Sequence, residues 1–288
     1  LEVNAPLYRE QKQLGKLVFE NFARFSERWI CSNETFTITV TQVMKNLLVE
    51  QGVPEEKMIV MHNGINPERF SAISNGPVRE RFNLNGHIVI GFVGWFRKWH
   101  GVEQLVQVFH QNNFAALNAK LLLVGDGPAY EGLATFIAQH ELAEHVFLTG
   151  AVEKIEIPAL IGTMDITVQP QATDYACPMK ILEYMAMAKC IVAPDQENIR
   201  ELLDHNVTGI LFKPNDALDL ANALTTLLKN PEMGQSLGQR AQQQIYERGL
   251  LWTSNAERCI RLINAIQSKN DVNADLNGNY RAQRSVVA

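Results

Sequence analysis

The sequence has no apolar run approaching the roughly 20 residues that a bilayer-spanning helix needs, which excludes an integral membrane protein of helical type. Cysteine is scarce: Cys31, Cys177, Cys190 and Cys259 are widely spread over 288 residues, with no C-x-x-C and no Cys/His zinc spacing. That excludes a disulfide scaffold, and the four read as reduced thiols of a cytosolic protein. Basic charge is not in excess, with 26 Lys and Arg against 31 Asp and Glu and a formal net charge of −5. A surface built as a whole to bind nucleic acid is therefore excluded, although a local anion pocket is not. No G-x-G-x-x-G follows a strand and no P-loop Lys-Ser/Thr occurs, so neither dinucleotide nor Walker chemistry is indicated. No D-x-D triplet occurs either, which removes the simplest way to present a divalent metal to a nucleoside diphosphate. His62, His87, His110, His140, His145 and His205 show no ligand spacing, so no metal site is expected. The opening Leu1-Glu2-Val3-Asn4-Ala5-Pro6 has neither an initiator Met nor a signal peptide and reads as the interior of a longer folded protein.

What is present is ordinary globular material, 46% hydrophobic and 20% charged, at a length that suggests about two domains. Over residues 1–30, Leu14, Leu17, Val18, Phe22 and Phe25 fall near i, i+3, i+4 spacing and predict helix. A strand over 35–40, a helix over 41–51 closed by Gly52 and Pro54, and a strand over 58–61 follow. Residues 65–84 mix Pro, Asn, Ser, Gly and charges without period and read as a linker. Near-continuous apolar runs at 87–94 and 120–125 mark strands buried on both faces. Further strands are predicted at 145–149, 166–168, 190–193 and 209–212. They alternate with helices at 102–112, 129–141, 155–161, 179–188, 199–203, 216–229 and 231–248. Such alternation is the mark of β-α-β units and an α/β fold, a Rossmann-like parallel sheet with helices on both faces. Ligands of such sheets sit outside the carboxyl ends of the strands, at the point where the strand order reverses. The expected organisation is a first domain over 1–64, a linker over 65–84, a second domain over 85–248, a helix within 249–268 and a disordered tail over 269–288.

Three loops carry candidate chemistry. Gly94-Trp95-Phe96-Arg97-Lys98-Trp99-His100-Gly101 joins a buried strand to a helix and offers Arg97, Lys98 and His100 at a helix N-terminus, where backbone N–H groups favour an anion. A solvated basic loop with packed Trp is the bland alternative. The stretch 174–186 runs from a strand end into a helix with Pro178 well placed at its start. Glu183, about one turn in, is suited to receive two hydroxyls such as ribose presents, or simply pairs with Lys180. Gly125-Asp126-Gly127-Pro128 holds a ligand backbone close or is only a tight βα turn. Cys177 has no nearby His in sequence and reads as packing rather than as a nucleophile.

Taken in order, these pieces resemble the retaining glycosyltransferases of family 4, the glycosyl transferases group 1, which have the GT-B fold. Val60-Met61-His62-Asn63-Gly64-Ile65-Asn66-Pro67-Glu68-Arg69-Phe70 resembles the family's PNGVD…F, and residues 90–102 its first strand and phosphate loop. Residues 121–128 are close to L.IVGDGP, residues 179–195 resemble LK.FEYMA.GK.IVA.D, and residues 207–212 resemble NG.L. The match spans roughly residues 30–265; each motif alone is weak and the ordered set is strong.

The resemblance implies two Rossmann-like domains facing a cleft, the C-terminal one binding a nucleotide sugar. Glu183 matches the second Glu of the family's E-x7-E, which holds the ribose hydroxyls. The position of the first Glu is Tyr175, with Asp174 one residue out of register. Cys177, Met179 and Lys180 fall on the loop that touches the donor sugar and phosphate. The family's phosphate Arg and Lys align with Trp95 and His100, leaving Arg97, Lys98 and the amides near Gly94 to meet the diphosphate. Val152 matches the segment that meets the base edge, and Gly125, Asp126 and Gly127 a turn beside the site. The implied activity is transfer of a sugar from a UDP- or GDP-linked donor to a glycan or glycolipid acceptor, with retention and without metal or other cofactor. The catalytic groups and most of the acceptor site are expected in an N-terminal domain of which residues 1–64 are the remnant, so that the fragment is expected to transfer poorly or not at all. A silent donor-binding or assembly subunit and a GT-B-type epimerase are the competing readings. No nucleic-acid partner is implied, and the setting is the cytoplasm, with peripheral association at the inner membrane face compatible. A helix over 250–267 is expected to cross toward that first domain and to leave Leu251, Trp252, Cys259 and Ile260 partly exposed.

Overall fold

The computed structural model describes residues 1–70 and 76–267 and divides into two compact units. The first comprises, among the described residues, Leu1–Gly64, Tyr175–Cys177 and residues 249–267. Its strands β1 (Glu2–Val3), β2 (Thr37–Thr39) and β3 (Met58–Val60) form a parallel sheet in that order. The helical stretch expected over residues 1–30 is two helices, α1 (Leu7–Gln13) and α2 (Glu20–Asn33). Gly15 between them takes a φ of 65°, a left-handed value that ends a helix. The apolar residues of that pattern are largely exposed. Val18, Phe22 and Phe25 are 82%, 71% and 61% accessible, and of α2 only Cys31 is buried. Leu14, Leu17 and Val18 of that pattern fall between the two helices and only Phe22 and Phe25 lie within one, and nothing among the described residues covers the exposed face of α2.

Helix α3 (Gln42–Glu50) is capped by Thr41, whose hydroxyl accepts from the Met44 N–H at 3.0 Å and donates to the Tyr175 carbonyl at 2.6 Å. A small core of Leu48, Val53, Met58 and Cys31 closes the unit.

The second unit, Ile65–Asp174 with Pro178–Arg248, holds a six-stranded parallel sheet. Its strands are β4 (Ile88–Val93), β5 (Ala119–Val124), β6 (Val146–Leu148), β7 (Ile166–Val168), β8 (Cys190–Pro194) and β9 (Ile210–Phe212). Their order, β6-β5-β4-β7-β8-β9, is the doubly wound Rossmann order. Helices α5 (Val102–Gln111), α6 (Tyr130–Gln139) and α10 (Ala217–Lys229) bury Leu105, Phe109, Leu133 and Leu224 with Phe92 and Leu121. Helices α7 (Ile157–Thr163), α8 (Met179–Ala186) and α11 (Pro231–Glu247) lie on the other face, with the short α9 (Glu197–Arg200) after β8. Gly91 of β4 leaves room on that face for Met164, whose sulfur would lie 2.1 Å from a Cβ there.

Within the stretch read as a linker, Pro67–Phe70 forms a 3₁₀ turn and Gly76–Arg81 a helix, α4, packed on α7. Arg79 of α4 donates to the carbonyls of Thr163, Leu84 and His87, so local charge density concealed a tertiary anchor. Helix α12 (Trp252–Gln267) belongs to the first unit: Asn255 donates to the His62 carbonyl at 2.8 Å and Arg258 to the Val60 carbonyl at 3.0 Å. Gly64 meets the backbone of this segment, where a Cβ would come within 2.4 Å of the Trp252 nitrogen. Trp252 and Ile260 are exposed, and Leu251 and Cys259 half-buried. The expectation of disorder over 269–288 lies outside the described residues. No described helix is long and apolar enough to cross a membrane.

Candidate functional site

The strand order reverses between β4 and β7, so the loops leaving their carboxyl ends part from each other and open a crevice. Both loops are fixed by tertiary contacts. After β4, the Gly94 N–H donates to the Val124 carbonyl at 2.9 Å and the Phe96 N–H to the Asp126 carbonyl at 2.6 Å. Gly125 and Gly127 permit this approach, because Cβ atoms there would stand 2.0 Å from the Gly94 oxygen and 2.6 Å from the Phe96 nitrogen. The Gly125-Asp126-Gly127 turn is thus a backbone brace for the loop after β4. Its other side is tied to the segment after β6, where Gly125 bridges Gly150 and donates to Thr149 Oγ1 at 3.1 Å; Val152 follows, half-buried.

The loop after β4 ends at Gly101, in a left-handed conformation with φ 68°. Gln171, just after β7, packs where a Gly101 side chain would be, and its N–H donates to the His100 carbonyl at 3.2 Å. Gln196 and Asn198, from the segment after β8, donate to the carbonyls of Ala172 and Thr173 at 3.3 and 2.9 Å. The segment following β7 is therefore held from both sides.

Helix α8 begins after Pro178, whose missing N–H costs nothing at a helix start. Ile181, Leu182, Tyr184 and Met185 are buried, which turns Lys180 and Glu183, three residues apart, onto a shared face. Tyr184 sets the height of the helix: its hydroxyl accepts from the Val93 N–H at 2.9 Å at the end of β4. Burial pushes that phenol far above its ordinary range, so it stays neutral.

Lys180 then reaches the end of β4. A Cβ on Gly94 would lie 2.9 Å from its Nζ, and the Nζ stands 4.3 Å from the centre of the Phe92 ring. The side chain's stem is partly accessible but the Nζ is enclosed and finds no hydrogen-bond acceptor among the described residues. Burial lowers its pKa to about 7, with Glu183 opposing the shift. Glu183 is itself raised by burial, against the attraction of Lys180 and of Arg69 from the 3₁₀ turn Pro67–Phe70. His100 is lowered to about 4 by burial and by the Lys180 cation, despite its hydrogen bond to the Trp95 carbonyl at 2.5 Å. It is neutral at ordinary pH. With Nδ1–H donating to that carbonyl, its Nε2 is left as an acceptor.

The residues expected here separate into two groups. Gly94, His100, Lys180 and Glu183 come together at the carboxyl end of β4, with Met179 half-buried in the first turn of α8. Arg97, Lys98 and Trp95 are exposed, Arg97 lying 4.9 Å over the Trp99 ring. Asp174 is exposed as well. Tyr175 and Cys177 are buried in the first unit. The Tyr175 hydroxyl is bonded to Glu10, and the Cys177 carbonyl accepts from Asn63 at 2.9 Å. Arg69, Gln171, Tyr184, Gln196 and Asn198 were not singled out from sequence. Only Tyr184, adjacent to Glu183 on the same helix, stood inside a motif read for chemistry; Arg69 lay in a motif read for resemblance alone. Among the described residues, no group of three or more His, Cys, Asp or Glu side chains is placed to hold a metal ion. The site therefore offers one enclosed ammonium, a carboxylate and a neutral imidazole acceptor, a set suited to an anion joined to a polyhydroxyl group.

Comparison with known proteins agrees with that chemistry. The kanosaminyltransferase of Streptomyces kanamyceticus is 27% identical over 164 residues, covering 57% of this chain and 42% of that protein. The N-acetyl-alpha-D-glucosaminyl L-malate synthase of Bacillus anthracis is 28% identical over 197 residues, covering 68% of this chain and 50% of that protein. The chain thus spans about half the length of these relatives. Among solved structures, Anabaena HepE in complex with UDP-glucose superimposes with a TM-score of 0.78 at 20% identity, covering 91% of this chain and 71% of that one, which establishes the likeness of fold. The sequence model of the glycosyl transferases group 1 matches residues 78–244, from α4 through all six strands of the second sheet and most of α11, and the chain belongs to that family.

Proposed function

We propose that this chain supplies the donor site of a glycosyltransferase that moves a sugar from a nucleoside diphosphate sugar to a glycan or glycolipid acceptor, with retention at the anomeric carbon. The observation that carries the reading is Glu183, enclosed one turn into α8 at the point where the strand order reverses, and facing Lys180 and Arg69. There it accepts from the two ribose hydroxyls, whose vicinal geometry matches the two oxygens of a carboxylate. The amides near Gly94 and the first turn of α8, at Met179, face the phosphates, and the main chain near Val152 meets the base. As the anomeric bond breaks, negative charge gathers on the leaving diphosphate, and fixed cations and amide dipoles stabilise it without a metal. Relatives named as a kanosaminyltransferase and a glucosaminyl malate synthase, and a neighbour that binds UDP-glucose, support this substrate class. Acceptor recognition is assigned to the part of the relatives that this chain does not cover. We infer a cytoplasmic setting, with peripheral association at the inner face of the membrane.

A silent donor-binding subunit is the second reading, favoured by one observation: Tyr175, at the position of the family's first Glu, is held in the first unit by Thr41 and Glu10. An epimerase needs two facing carboxylates, whereas Glu183 faces cations. The test is calorimetric titration of the 288-residue chain with UDP and GDP, in the presence of a chelator. Saturable binding is expected, weakened about tenfold or more in Glu183→Ala for UDP and uridine alike, because the ribose is common to both. Failure of both nucleotides to bind overturns the reading.

A further inference from the structure

We propose that the Lys180 ammonium is the cation that receives the donor's diphosphate, a role that the exposed Arg97 and Lys98 do not take. The inference rests on the nucleotide-sugar reading of the site and names the residue that meets its charge. Geometry carries it. The Nζ sits against the bare Cα of Gly94, at the carboxyl end of the central strand β4 and beside the crevice where the strand order reverses. Phe92 lies beneath it, and it has no hydrogen-bond acceptor among the described residues. An enclosed ammonium without an acceptor is costly to keep, and proteins retain such groups where an incoming partner supplies the missing charge.

The other positive groups nearby are otherwise engaged. Arg97 covers the Trp99 ring in solvent, Lys98 opens an exposed 3₁₀ turn, and Arg69 faces Glu183. His100 carries no proton on Nε2 at neutral pH and contributes no charge. The titratable groups that interact with Lys180 are Glu183 on its own helix and His100 from the loop after β4; of these only Glu183 is anionic, and burial weakens its ionisation. In the free protein, burial therefore leaves much of Lys180 neutral near pH 7. A bound diphosphate reverses that balance, and the amine takes a proton from the buffer as the nucleotide enters.

The test compares UDP, by calorimetry, with uridine, by NMR titration, in wild type, Lys180→Met and Lys180→Arg. Lys180→Met is expected to lose about 10- to 100-fold in UDP affinity while uridine binding stays unchanged, and Lys180→Arg to recover most of the loss. Repeating the UDP titration near pH 8 in two buffers of different ionisation enthalpy is expected to show uptake approaching one proton in wild type and none in Lys180→Met. Wild-type UDP affinity in Lys180→Met overturns the assignment and leaves the nucleotide reading standing. An equal loss for UDP and uridine also overturns it, because that marks a structural role. A wild type that binds neither UDP nor GDP overturns both.

Discussion

Lys180 combines an enclosed amine with a position no strand or cap requires, and that combination has a consequence for stability. The unfolded chain keeps this amine protonated up to its ordinary pKa of 10.5, whereas the folded protein releases the proton near 7. Between those values the unfolded state binds more protons, so stability falls as pH descends through the window and levels off below it. Lys180→Met removes the penalty. The variant is expected to unfold at a temperature several degrees above wild type near pH 6, an advantage on the order of a few kcal/mol that shrinks toward zero near pH 10. Thermal scans at those two pH values check it, and equal melting temperatures near pH 6 would refute the buried charge. Glu183 was legible from its place in a helix after a strand end. Lys180 was placed on the donor loop by resemblance alone, and its enclosure was not legible, because a Lys three residues before a Glu reads as an ordinary helical pair until burial is known.

At the scale of elements, apolar runs were the reliable signal. β4 and β5 fall within one residue of their expected spans because strands buried on both faces admit little polarity. The two-residue β1 and the helix α4 escaped notice. Each is held by distant partners, β2 for the strand and the Thr163 carbonyl for Arg79, and periodicity cannot register these. The same holds for Gln171, Gln196 and Asn198, whose bonds to loop carbonyls position the segment after β7. The join between β4 and α8 is the sharpest case. Tyr184→Phe leaves the buried Val93 N–H without an acceptor and is expected to cost about 1–3 kcal/mol. Urea denaturation should show a lower midpoint with an unchanged slope, and UDP binding should weaken as α8 loses its fixed height. An unchanged midpoint would mean that the bond contributes nothing.

For the whole molecule, the two units differ in how much they bury. The second encloses a continuous core from Ile90 and Phe92 through Leu237 along one face of six paired strands, and buries Ile161, Ile181, Leu182 and Met185 from helices of the other face. The first has a smaller core, with Cys31, Met44, Leu48, Val53, Met58 and Ile59 among its buried residues, and its helices α1 and α2 contribute only Cys31 to it while Phe19, Phe22, Phe25 and Trp29 stand in solvent. Burial of apolar area supplies most of the free energy of folding, so local opening is expected to cost far less in the first unit. Hydrogen exchange should therefore be fast in peptides of α1 and α2 and slow in β4, β5 and β8. Ligand linkage sharpens the contrast. UDP at about 100 times its Kd adds roughly 2.7 kcal/mol to any opening that destroys the site, and nothing to openings that spare it. Protection is then expected to rise in the peptides containing residues 94–101 and 179–186, while those of α1 and α2 keep their free-protein rates. An equal rise in all four would mean that the two units do not open independently.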